Sequence, residues 1–472
     1  MHIVFFNPQG NFDANDSYLA AHPDFGGQLV YVKEVAQAMS VMGHKVDILT
    51  RKIEDKEWPE FSNDVEIYPG FGENLRILRF SCGGKKFLNK ERLWPHLPAF
   101  IDRILEYYGD ALPDFATAHY GDGGYCAVLA KQRAGIGFTF TGHSLGAQKL
   151  DKLGMSVSNF DAMEERYKFS MRIAAERLSM AAASCIITST DQEQKEQYSH
   201  PLYADVVDAG DANKFSVIPP GVNSRIFTTK KTADDQKIKN KIDGLMTTEL
   251  GRVVLVSSRL DEKKNILGVV QAYAENETLR KMAPLVICIR GIDDPFEELA
   301  TLPEGEQKVF RPILSLIKEA GFKDRVYFLN LQSQQELAAA YRHFGARGSV
   351  FALTAFYEPF GLAPIEAAAC GLAPVATKNG GPSEIFANGS GVLVDPFDSK
   401  DIARGLIEAL ENHTVLSKKA IQHVHDTYTW QRTAQGYLAV IEKALETPDN
   451  DKPESISLDG TAWLKDYLKN NT

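Results

Sequence analysis

Short apolar runs alternate with helix-spaced apolar patterns almost from one end of the chain to the other. Residues 2–6 read as a strand, and across residues 29–42 apolar side chains recur at helical spacing. Residues 45–49, 75–80, 115–118, 138–141 and 185–188 read as further strands, with helical patterns at 93–108 and 160–183. The rhythm then restarts, with strand-like runs at 253–257, 285–289, 326–329, 350–353 and 374–376 and helices between them. Strand–helix–strand succession predicts parallel sheets covered by helices on both faces. At 472 residues the pattern fits two complete doubly wound α/β units better than one continuous sheet.

Punctuation supports a division. The paired Pro219-Pro220, followed by Gly221, make a stiff turn after the first half. A lysine-rich polar stretch, 228–241, follows and reads as a helix or a surface excursion. A last helical pattern runs from Trp430 to about Leu445, before a polar stretch at 446–454. Ligands of doubly wound sheets bind beyond the carboxyl ends of the strands, so two such units facing each other imply a cleft between them.

Charge narrows the function. Lys and Arg number 52 against 62 Asp and Glu, a formal net charge of −10. A general nucleic-acid binder would carry a basic surplus, whereas a small anion needs only a few clustered cations. No apolar run has the length of a membrane span, and residues 1–6 lack the flanks of a signal peptide. The five cysteines (Cys82, Cys126, Cys185, Cys288 and Cys370) are widely spaced and form no CxxC. A reduced, cytoplasmic chain is the expectation.

Candidate chemistry concentrates after strands. Glu358 lies in a Pro- and Gly-containing loop after the strand ending near Leu353, and Pro364 suits the first turn of a helix carrying Glu366. Two carboxylates so placed can accept hydrogen bonds from sugar hydroxyls. A lone Glu366 would only offset a helix dipole, but the rigid loop between the pair favours ligand binding. Arg259 and Lys264 follow the strand at 253–257, where two cations can neutralise a departing diphosphate without proton transfer. Two glycine turns, Gly26-Gly27-Gln28 and Asn379-Gly380-Gly381-Pro382, each open a helix whose amides can receive an anionic oxygen. Neither is a GxGxxG fingerprint, and there is no P-loop. Residues 142–146, GHSLG, match the GxSxG elbow of serine hydrolases, which makes a hydrolase with Ser144 as nucleophile the rival reading. That fold needs an Asp and a His downstream on one central sheet, whereas here the chain goes on to build a second unit. His423 and His425 stand two apart on a helical pattern and face apart, as surface residues. Residues 457–461 lack the first Asp of a DxDGT phosphatase motif and read as a tail turn.

With these anchors the sequence resembles the retaining glycosyltransferases of two-Rossmann-domain architecture, and among them the sucrose-phosphate synthases of the short bacterial kind. The resemblance runs from Asn7 to about Leu445, with the E-x7-E pair typical of the superfamily and the stretches around Gly26 and His143 narrower. It implies two Rossmann-like domains facing across a cleft. Residues 1–221 plus 431–472 would form the acceptor domain, closed by a crossover helix, and 222–430 the nucleotide-sugar domain. It also implies that Arg259 and Lys264 hold the donor's diphosphate and that Glu366 binds the ribose. Glu358 with the Gly361-Leu362 loop would hold the transferred sugar, Gly27 and Phe360 would be further donor-binding residues, and backbone near Leu331 would read the base. His143 would contact the sugar near the reacting carbon. Gly26, Gln28, Lys90, Tyr120, Ser144, Lys149 and Arg172 match acceptor positions for fructose 6-phosphate.

The implied reaction is glucosyl transfer from UDP-glucose to fructose 6-phosphate, giving sucrose 6-phosphate and UDP. ADP-glucose, GDP-mannose and free fructose remain open as alternative substrates. The resemblance implies small-molecule substrates, no nucleic acid and no membrane, with a functional link to a separate sucrose-phosphate phosphatase. No DxD metal motif is present, so no bound metal or tightly held cofactor is expected, and Mg2+ would at most stimulate.

Overall fold

The structure is a computed structural model that describes residues 1–9, 12–15, 17, 27–245, 251–447, 453 and 456–471. The chain divides into two units, Met1–Pro219 with Trp430–Thr472, and Pro220–Thr429.

The first unit holds an eight-stranded sheet. Its strands are β1 (His2–Phe6), β2 (Lys45–Arg51), β3 (Val65–Ile67), β4 (Leu75–Phe80), β5 (Phe115–His119), β6 (Phe138–Thr141), β7 (Cys185–Thr188) and β8 (Phe215–Val217). They lie in the order β3-β4-β2-β1-β5-β6-β7-β8. Every pairing is parallel except β3–β4. Phe6 pairs with Leu49 on one side and Ala118 on the other. Alternation buries both faces: Val4, Phe6 and Phe140 enter one core, Ile3, Phe5 and Ile48 the other. The helix Trp430–Glu446 belongs to this unit and packs Ala434, Leu438 and Ile441 against Val35 and Met39 of the helix Gly27–Val41.

The second unit holds β9 (Val254–Ser257), β10 (Leu285–Ile289), β11 (Val326–Asn330), β12 (Val350–Leu353), β13 (Ala373–Thr377) and β14 (Val392–Val394). Their order is β11-β10-β9-β12-β13-β14, all parallel. In each sheet the order reverses at one point, between β1 and β5 in the first unit and between β9 and β12 in the second. Those switch points open crevices at the strands' carboxyl ends.

The differences from the sequence pattern are local. β3, β8 and β14 are three-residue strands, too short for period-two alternation to register. The helix expected over 160–183 is two helices, Phe160–Tyr167 and Phe169–Ala182, broken at Lys168, whose φ is 52°. The helix expected from residue 93 begins at Leu97, after a 3-10 turn at Trp94–His96 carrying Pro95. Past the expected tail turn a further helix, Thr461–Asn470, packs Leu464 and Leu468 into the first unit's core. His423 is half-buried and bonds the Ile385 carbonyl at 2.9 Å, while His425 is exposed as expected.

Candidate active site

In the second unit, the loop after β9 is pinned at Asn265. This residue adopts φ 52° and caps the helix Ile266–Glu275 by accepting from Gly268 N–H at 3.1 Å. Its amide donates to Thr354 O (3.0 Å) and Pro396 O (2.8 Å), joining the β9 loop to the chain beyond β12 and β14. Lys264, the preceding residue, is thereby aimed at Glu358. Its Nζ donates to Glu358 Oε2 at 2.6 Å, both side chains being largely but not wholly covered. Arg259 lies exposed on the same loop, and no hydrogen bond or ion pair involves its side chain among the described residues.

The carboxylate loop is equally fixed. Glu358 N–H donates to Asn379 O at 3.1 Å, and Gly381 N–H donates to Glu358 O at 2.9 Å. A Cβ on Gly380 would meet Glu358 O at 2.1 Å and one on Gly381 would meet Phe360 O at 2.5 Å, so only glycine lets the two loops touch. This corrects the sequence expectation for that turn. Its glycines serve a close backbone approach, the Gly381 amide is already spent, and the helix it opens, Pro382–Ile385, has four residues. Pro364 lies in the first turn of Leu362–Ala369, which begins after Gly361 at φ 108° and places Glu366 half-buried. Burial pushes the Glu366 carboxyl up to about 8. The Leu331 N–H donates to Ile289 O at 2.9 Å, so of the backbone expected to read a base there, Leu331 itself has its amide engaged. Phe360 is nearly buried and meets Tyr428 edge-on.

In the first unit, four residues scattered along the sequence, Lys90, Tyr120, Lys149 and Arg172, line one recess together with Glu91, Trp94, Asp122 and Tyr167. Arg172 is buried. Its Nε donates to Glu176 Oε1 at 3.0 Å, an Nη bonds the Ser144 carbonyl, and its guanidinium lies 4.5 Å over the Tyr120 ring. Glu176 is itself buried and receives Gly146 N–H and the Tyr203 hydroxyl, so one carboxylate anchors both Arg172 and the start of the helix Gly146–Lys152. Lys149 on that helix lies 4.8 Å over the Tyr167 ring.

His143 occupies a three-residue turn closed by Ser144 N–H to Gly142 O at 2.6 Å, with φ 57°. Four non-glycine residues have positive φ among those described, and three of them, Tyr120, His143 and Asn265, stand among the candidate residues of their own units. His143 Nε2 lies 2.9 Å from His119 Nδ1, and His119 Nε2 lies 3.0 Å from Thr117 Oγ1. Burial lowers the His143 pKa to about 3 and, with the neighbouring His143, lowers that of His119 well below the usual histidine range. Both imidazoles are therefore neutral at pH 7, and Nδ1 of His143 has no partner among the described residues. The Ser144 hydroxyl is exposed and makes no hydrogen bond to a histidine among the described residues, so it lacks the base that a nucleophile needs.

Gly27 opens its helix, and Gln28 Nε2 reaches Asn7 Oδ1 at 3.4 Å, beyond β1. Gly26 and the residues before it from 18 onward lie outside the described residues. Sequence reasoning missed Asp122, His119, Glu176, Tyr203 and Asn265. Asp122 and His119 carry a usable signal, since both flank Tyr120 at the end of β5. Glu176 and Tyr203 carry none, because only the tertiary fold joins them to Gly146.

Residues 238–424 match the family Glycosyl transferases group 1, and residues 1–247 match the family Sucrose synthase first GT-B domain. The chain is 46% identical over 445 residues to a probable sucrose-phosphate synthase of Thermosipho melanesiensis, covering 94% of this chain and 97% of that relative. It is 31% identical to the sucrose-phosphate synthase of Zea mays over 99% of its own length, but spans only 50% of that protein. The solved sucrose-phosphate synthase of Thermosynechococcus elongatus superposes with a TM-score of 0.67 at 24% identity, over 94% of this chain and 99% of that one. No helix among the described residues is long and apolar enough to cross a membrane. The chain belongs to the sucrose-phosphate synthase family of GT-B glycosyltransferases, and it is a hexosyltransferase.

Proposed function

We propose that the protein transfers glucose from UDP-glucose to fructose 6-phosphate, releasing UDP and sucrose 6-phosphate with the configuration at C1 retained. The observation that carries the acceptor's identity is the convergence of Lys90, Lys149 and Arg172 on one recess of the first unit. Three cations in one small recess fit a phosphate dianion, where each charge-assisted bond adds about 1.5–3 kcal/mol. An uncharged sugar would give these cations no phosphate oxygens to bond.

On this reading Arg259 and Lys264 take the donor's diphosphate. The Lys264–Glu358 pair supports a partner exchange, in which Lys264 turns to phosphate oxygens and Glu358, with the Gly361-Leu362 backbone beside Phe360, turns to the hydroxyls of the sugar. Glu366 takes the ribose hydroxyls, and Gln28, Gly26, Gly27 and Ser144 complete the sugar contacts. His143, neutral, offers its free Nδ1 to the glucose near the reacting carbon. The bond from glucose C1 to the diphosphate oxygen breaks while C1 bonds to the acceptor's hydroxyl oxygen. The hydroxyl proton passes to the departing phosphate oxygen on the same face, and the cations stabilise the charge that develops there. Mg2+ would act only as a stimulant, and a separate phosphatase would consume the product.

A product assay crossing UDP-, ADP- and GDP-linked sugars with fructose and fructose 6-phosphate tests this. The expected outcome is a phosphorylated disaccharide from UDP-glucose and fructose 6-phosphate alone. Equal use of free fructose would overturn the acceptor assignment.

A further inference from the structure

Asp122 stands in the first turn of the helix Tyr120–Ala134 with 1% of its surface exposed. Its Oδ1 accepts Gly123 N–H at 2.8 Å, whereas Oδ2 is buried and has no hydrogen-bond partner among the described residues. Asp122 is among the residues that line the recess holding Lys90, Lys149 and Arg172. A phosphate site made of cations gains nothing from an ionised carboxylate, which would repel the dianion and leave a buried charge unbonded. A neutral carboxyl there would instead present an O–H.

The surroundings decide which form is held. On its own helix, Tyr120 and Cys126 are both kept neutral by burial. Lys90 and Glu91 face it from the 3-10 turn Lys90–Arg92, and Lys149 from the helix Gly146–Lys152. On the helix Phe169–Ala182, Arg172 faces it while Glu176 is occupied by Arg172 itself, Gly146 N–H and Tyr203. Burial pushes the Asp122 pKa up to about 7, against the Gly123 amide and the positive charges of Lys90 and Arg172. An incoming phosphate offsets those same charges and so removes part of what keeps the carboxylate ionised.

We propose that Asp122 takes up a proton as the acceptor's phosphate enters the recess and keeps it on Oδ2, whose O–H then donates a hydrogen bond to a phosphate oxygen, so that acceptor binding is coupled to protonation of this one side chain. The proposal rests on the acceptor reading above. It adds a residue that selects a phosphorylated acceptor over an uncharged one and ties that selection to pH.

The test is calorimetry of fructose 6-phosphate binding to the full chain with UDP present, at pH 8, in two buffers of different ionisation enthalpy. The expected result is uptake of close to one proton per site, with none for fructose. In Asp122→Asn the uptake disappears, and affinity at pH 8 rises by up to about tenfold, because only about a tenth of the wild-type carboxyl is protonated one pH unit above its pKa. Uptake that persists in Asp122→Asn would place the proton on the phosphate and overturn the proposal. So would saturable binding with equal heats in the two wild-type buffers, or weaker binding by the Asn variant at every pH. The absence of any saturable binding would overturn the acceptor reading itself.

Discussion

In the second unit, of the cations that follow β9, Arg259 is exposed and Lys264, largely covered, is held among the described residues by a single ion-pair partner, Glu358. In the first unit Arg172 is buried, stacked on Tyr120 and fixed by Glu176, which the Tyr203 hydroxyl and Gly146 N–H fix in turn. The contrast fits what each group would do on the proposed assignment. A cation that meets a leaving group must be free to change partners, so a partly solvated pair suits it. A cation that recognises a resting phosphate gains from being preorganised, because little rotamer freedom is then lost on binding. On the proposed roles, stability and chemistry separate by unit.

Removing Glu176 should break this contrast most severely. Glu176→Ala leaves Arg172 buried without its counter-charge and should cost about 3–5 kcal/mol, read as a lowered denaturant midpoint. Lys264→Ala should do the opposite. Its pair is partly exposed, so stability should fall by about 1 kcal/mol or less, while turnover falls on the order of 100-fold. Near-normal turnover in Lys264→Ala would mean that the loop is solvated surface.

A pH experiment sharpens the comparison. Glu366 in the second unit and Asp122 in the first both have carboxyl pKa values raised by burial, to about 8 and about 7. Between the unfolded carboxyl range and these values the two carboxyls bind more protons in the folded chain than in the unfolded one, so their contribution to stability falls as pH rises from about 4 to 8, while the buried neutral His119 and His143 contribute the opposite slope below the ordinary histidine range. Glu366→Gln should flatten that slope, measured as the denaturant midpoint across pH 5–8, and an unchanged slope would refute the assignment. The smallest effect is expected at Ser144. Ser144→Ala should weaken acceptor binding without abolishing transfer, and a fluorophosphonate probe should leave Ser144 unlabelled; stoichiometric labelling with esterase activity would restore the hydrolase reading.

The sequence was most legible where candidate residues follow strand ends directly. Arg259, Lys264, Glu358 and Glu366 follow two strands that turn out to flank the switch point between β9 and β12, so local pattern was enough to place them near one another. Lys90, Lys149 and Arg172 lie far apart, and only the family resemblance joined them before the fold did. Residues that support others were illegible for a physical reason. Glu176 lies on a helical pattern where a buried carboxylate looks like any surface acid until Gly146 and Tyr203 are seen against it. Asp47, on β2, is a second buried carboxylate whose state only the fold reveals. Burial would raise its pKa, yet hydrogen bonds from His2, Arg76 and Tyr108 hold it at about 2, near the start of β2 and away from the carboxyl ends where ligands bind. The break at Lys168 was hidden because it needs only one residue in the left-handed region, and lysine gives no warning of that.

The central claim, that the first unit reads the acceptor's phosphate and the second drives departure of the donor's diphosphate, is tested most directly by two-substrate kinetics on Lys90→Ala beside Lys264→Ala. Lys90 lies half-buried on a short turn, so its loss should leave the fold intact. The account predicts that Lys90→Ala raises KM for fructose 6-phosphate by about one to two decades, leaves KM for the nucleotide sugar nearly unchanged and alters the use of free fructose much less. Lys264→Ala should lower kcat at saturation of both substrates. If Lys90→Ala instead weakens fructose and fructose 6-phosphate equally, or raises the KM of the nucleotide sugar as much as that of the acceptor, the division of labour between the units is contradicted.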